Sequence, residues 1–188
     1  MSIDRKPPDP ARPDTAIGPI PLALLREVQQ TIAQASAPKP GAKRFDSPNE
    51  VSGYFYRTPK GAIAYTFGIG GDSQGVVEQP PATAIAQYHS HPPKFGSDLG
   101  GALNLNFNFA SFGESGRPGD VQRWIGPNGI RERGILHAYV FGPTQVSYYD
   151  LAKLTGAKYD ERNFCVAALT GADVAWPFLN DYEGAAIA

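Results

Sequence analysis

Glycine and proline interrupt this chain from end to end: 21 Gly and 18 Pro fall among its 188 residues. Both are poor guests inside regular elements, glycine for its entropy and proline for its missing N–H. The chain therefore reads as a mixed globular domain punctuated by these two residues. The share stays below the roughly 25–30% that marks low-complexity chains. At this length the chain makes one domain, or one domain with a tail. Its 10 Phe and 9 Tyr suffice to fill a core.

Several classes are excluded at once. The net charge is −1, so no basic excess advertises nucleic-acid binding. A single cysteine, Cys165 in Phe164–Leu169, rules out an intramolecular disulfide and a cysteine-based zinc cage, and reads as a small buried hydrophobe. No apolar run approaches the roughly 20 residues that span a bilayer. The polar, proline-rich start is no secretory signal peptide. We therefore expect a cytoplasmic protein, or one delivered by a secretion system that needs no signal peptide.

Along the chain, residues 1–19 read as a disordered proline-rich arm and 20–188 as the folded domain. Leu25, Val28 and Ile32 recur at helical spacing over 21–35, with Pro21 suited to the first turn. Val51–Arg57 and Ala62–Phe67 predict a hairpin across Thr58–Gly61, and Ala84–Ser90 a strand that ends at the prolines. Residues 102–109 alternate strictly between Leu or Phe and Asn, as a half-buried strand does. Residues 110–120 read as a loop. Ile135–Phe141 and Gln145–Tyr149 predict a second hairpin, while Phe164–Leu169 fits strand or helix.

Two of the three histidines lie in Tyr88-His89-Ser90-His91-Pro92. Residues i and i+2 of a strand share a face, so both imidazoles can converge on one ion. Imidazole suits zinc, and a catalytic zinc usually takes three protein ligands. With no cysteine cage, the third falls to a carboxylate, Asp98 or Asp120. His137 lies inside an apolar strand and reads as structural.

The order Glu50, His89-Ser90-His91-Pro92, a serine, then an aspartate resembles the JAMM (JAB/MPN-type) zinc metalloproteases. Within that family it is most similar to a bacterial branch associated with Rhs-type polymorphic toxins. Gly53-Tyr54-Phe55-Tyr56-Arg57 and Tyr139-Val140-Phe141-Gly142-Pro143 look like that branch's flanking strands. Asn49-Glu50-Val51-Ser52-Gly53 supplies the family's E-x-x-G context, and the likeness covers roughly residues 20–155. It implies an α+β fold: a mixed β-sheet of hairpins flanked by helices, JAB/MPN-like (cytidine-deaminase-like), in three layers. It also implies Zn²⁺ held by His89, His91 and Asp120, Glu50 as general base and Ser115 as oxyanion donor, with Ser111 the alternative. Two departures stand out. The spacer after the histidines is long here, and four residues rather than two separate Ser115 from Asp120.

The expected activity is hydrolysis of a peptide or isopeptide bond in a protein or peptide substrate, in a toxin or effector setting with a cognate immunity or delivery protein as partner. The altered spacing motivates an alternative, a catalytically weak or inactive binding or processing module. A metal-dependent nuclease is disfavoured by the charge. No nucleic-acid or membrane partner is expected.

Overall fold

The structure, a computed structural model, describes residues 2–3, 16–36, 50–69, 79–91, 110, 113–114, 117–154 and 167–170. It is an α+β arrangement around one mixed sheet. The strands in chain order are β1 (Ser2–Ile3), β2 (Ala16–Ile17), β3 (Ile20–Pro21), β4 (Val51–Arg57), β5 (Ile63–Thr66), β6 (Gly68–Ile69), β7 (Ala84–Ser90), β8 (Gly113–Glu114), β9 (Arg117–Pro118), β10 (His137–Phe141), β11 (Gln145–Asp150) and β12 (Ala167–Thr170). Helix α1 spans Leu22–Ser36, helix α2 Asp120–Ile125, and a 3₁₀ turn Ile130–Arg133. The main sheet runs β1-β5-β4-β7-β10-β11-β12, with β6 also on β4.

Its neighbours are antiparallel except at the centre, where β7 and β10 run parallel. A parallel pair needs a long crossover rather than a hairpin. Here the crossover carries α2, and that returns residue 120 to the end of β7.

Each face of the sheet has its own core. On one, α1 seats Leu24, Leu25, Val28 and Ile32 against Val51, Phe55, Tyr88, Tyr139 and Phe141. The Phe55 ring sits 5.1 Å from Tyr88 and 5.7 Å from Tyr139, centroid to centroid. Gln29 Nε2 donates to the Gly142 carbonyl (3.0 Å), fixing the helix to the β10–β11 turn. On the other face, Val121 and Trp124 of α2 pack with Ala138, Val140, Tyr149 and Leu151. Burying a side chain such as Val121 contributes about 1.5–3 kcal/mol.

Two departures from the expected layout concern the first elements. Within the stretch expected as a proline-rich arm, Ala16–Ile17 pairs with Ile20–Pro21, and Ser2–Ile3 pairs with β5. Gly18 makes that early turn with φ +60, and a Cβ there would come within 2.6 Å of the Tyr148 ring. Pro21 closes β3, so α1 starts at Leu22. The loop expected over 110–120 contains the β8–β9 pair and, at Asp120, the start of α2. The segment around 164–169 is a strand where it is described, β12. Residues 102–109 lie outside the described residues. No helix among the described residues is long and apolar enough to cross a membrane.

Candidate metal centre

The centre is built at the carboxyl end of β7. His89 and His91 sit two residues apart, so the strand's pleat turns both to one face. Two contacts fix this end of the strand. Ser90 Oγ accepts from the Val51 N–H at 2.9 Å, and the His91 N–H donates to the Phe141 carbonyl at 3.0 Å. His89 pairs in register with Val140 on one side and Ser52 on the other. It therefore lies on the α2 face.

Helix α2 supplies the third group. Gly119 precedes it in extended conformation and Asp120 opens its first turn, where a carboxylate favours the helix dipole. The indole N–H of Trp124 donates to Gln87 Oε1 (3.0 Å), tying the helix to β7 two residues before His89. Its ring lies 5.8 Å from that of His89. Arg131 donates to the Ile125, Leu151 and Leu154 carbonyls, joining the end of α2 to the chain after β11.

The result is a tight triangle. His89 Nε2 and His91 Nε2 are 3.1 Å apart, and they lie 3.3 Å and 3.1 Å from the two oxygens of Asp120. Donor atoms on bonds of about 2.0–2.1 Å to a tetrahedral centre stand about 3.3 Å apart. The three groups are thus close enough to converge on one centre, and the His89-His91-Asp120 group could hold a metal ion. Three acceptor groups meeting at one point repel unless a proton or a cation lies between them.

The electrostatics agree with this. Burial disfavours the charged form of His89, but the Asp120 carboxylate, helped by Glu50, outweighs it and raises the imidazole's pKa, with Arg123 opposing. Burial likewise disfavours the Asp120 carboxylate, yet His89 and His91 hold it well below the usual carboxylate range.

A cleft of about 120 Å³ opens beside the triangle. Glu50, Ser52 and Tyr54 line it from β4, Gln87 and His89 from β7, and Asp120, Arg123 and Trp124 from α2. Of the residues singled out in the sequence, Glu50, His89, His91 and Asp120 are brought together. His137 is not among them: its Nδ1 sits 2.8 Å from the Tyr148 hydroxyl. Asp98, Ser111, Ser115 and Cys165 lie outside the described residues. Sequence reasoning missed Ser52, Tyr54 and Gln87, although period two from Glu50 and His89 points to them. It also missed Arg123 and Trp124, which only a helix starting at Asp120 places here.

Comparison with models of known protein families, with curated proteins and with solved structures returned no match.

Proposed function

We propose that the chain is a zinc-dependent hydrolase of peptide or isopeptide bonds, with a JAB/MPN-like arrangement of sheet and helices. One observation carries the reading: two imidazole nitrogens and the two oxygens of one carboxylate converge at contacts of 3.1–3.3 Å while a further carboxylate, Glu50, lines the adjoining cleft. The order of residues that resembles the JAMM motif supports it independently.

His89, His91 and Asp120 would hold the zinc, and its donor set of two nitrogens and an oxygen suits that ion. Bound zinc supplies Lewis acidity and makes water a nucleophile near neutral pH. Glu50, whose charge already reaches His89, takes the proton from the attacking water and returns it to the leaving amine. Ser115 is assigned the oxyanion contact on the resemblance alone.

The test is Glu50→Gln. Zinc content measured by atomic absorption should match the wild type, while peptide cleavage should fall about 10²–10⁴-fold, the usual contribution of a general base. Unchanged cleavage would overturn the assignment. Zinc binding without cleavage by the wild type would favour the binding-module reading that the altered serine spacing suggests.

A further inference from the structure

Arg123 lines the cleft three residues after Asp120, on the same side of a helix. It is exposed. It shares the cleft with His89 and Asp120 of the triangle. Among the described residues it has no ion pair. Nor does its side chain complete the helix end, where Arg131 donates to Ile125.

A cation in this place is costly for the proposed chemistry. It repels a divalent ion. Among the described residues, the rest of the lining gives it nothing to neutralise beyond Glu50 and Asp120, which the mechanism already uses. Ser52, Tyr54 and Gln87 are neutral hydrogen-bonding groups, and Trp124 and Ile130 are chiefly apolar. Guanidinium is the side chain best shaped to grip a carboxylate, through two parallel N–H donors.

We infer that Arg123 is a specificity residue that binds a carboxylate of the substrate beside the bond to be cut. This rests on the hydrolase reading for the word substrate, but not for the binding itself. The carboxylate has two sources, a free chain terminus or an acidic side chain next to the scissile bond. Either one would restore charge balance in a cleft that gains a dication.

The experiment uses the full zinc-loaded chain carrying Glu50→Gln, so that peptides bind without turnover. Calorimetry measures four forms of one acetylated tetrapeptide, with a free or amidated terminus and with Glu or Gln before the last residue. At least one acidic form should bind roughly tenfold or more tightly than the doubly neutral form, as a charge-assisted pair implies. Arg123→Ala should abolish that preference and Arg123→Lys should restore part of it. Whichever form carries the preference names the source of the carboxylate. Equal binding of all four would overturn the inference. So would a preference that survives Arg123→Ala, since that carboxylate would be bound by the metal directly. Failure of the hydrolase reading looks different: the acidic preference depends on Arg123, yet the chain with Glu50 intact cuts none of the peptides.

Discussion

A methyl group on residue 53 would have no room. A Cβ there would stand 2.1 Å from the Thr66 carbonyl oxygen and 2.7 Å from Cζ of Tyr88. Gly53 and Tyr88 are cross-strand partners, and the Tyr88 hydroxyl reaches over the glycine to donate to that carbonyl (2.5 Å). Glycine three residues after Glu50 therefore has a packing reason: an aromatic side chain crosses β4 at this point. Gly53→Ala should destabilise the fold by about 1–3 kcal/mol, the usual cost of overpacking, as read from urea denaturation. A neutral effect would mean that both the Thr66 backbone and the Tyr88 ring can shift to make room. His137 allows a second measurement. Burial lowers its pKa despite the opposing Asp150 charge. The unfolded chain then binds a proton more readily, so the associated stability is present above about 6.5 and is lost as pH falls through the lower folded value. The urea midpoint should drop more between pH 8 and pH 5 in the wild type than in His137→Gln, and equal drops would sink the assignment. At this scale period two made much of the site legible. It set His89 beside His91, while Glu50 was legible only through the family's E-x-x-G context. What it could not show was the choice between Asp98 and Asp120, because nothing local to either carboxylate reports where a crossover returns.

Helix α2 is the element on which the centre depends. It brings Asp120 to the histidines, and its grip on the sheet is the Trp124–Gln87 hydrogen bond plus the packing of Val121 and Trp124. Loosening that grip should loosen the third ligand. Gln87→Leu is expected to weaken zinc binding about 10–100-fold, the usual effect of removing an outer contact of a metal site, with an unchanged circular dichroism spectrum. An unaltered affinity would show that the packing of Val121 and Trp124 holds Asp120 in place without the hydrogen bond. The helix is also where sequence reading fell short. It has six residues between Gly119 and Gly126, too few for an apolar period to declare itself, and its glycine flanks read as loop. The hairpins were easier. Val51–Arg57 and Ala84–Ser90 appear as strands over those same residues, since alternation and turn residues are local signals. Helix α1 was legible from its buried stripe, although Pro21 ends a strand rather than opening the helix.

For the whole molecule, β7 and α2 are joined through the proposed ion as well as through their packing. A ligand that binds only the folded state stabilises it by about 2.7 kcal/mol at a hundred times its Kd. Zinc should therefore raise the Tm of the metal-free chain and EDTA should reverse the gain, while in Asp120→Asn the zinc-dependent part should shrink or vanish. A metal-independent Tm in the wild type would count against the centre. The parallel pairing of β7 with β10 has a last consequence, in chain statistics. His91 and Asp120 meet at 3.1 Å although the chain travels from the end of β7 to the start of α2 between them. Closing a flexible loop costs only about 0.6 kcal/mol more for each doubling of its length. The distance in sequence between His91 and Asp120 is thus almost free to drift while the triangle keeps its shape. The long spacer that sets this chain apart from the short JAMM pattern is a change that such a centre can absorb at little thermodynamic cost.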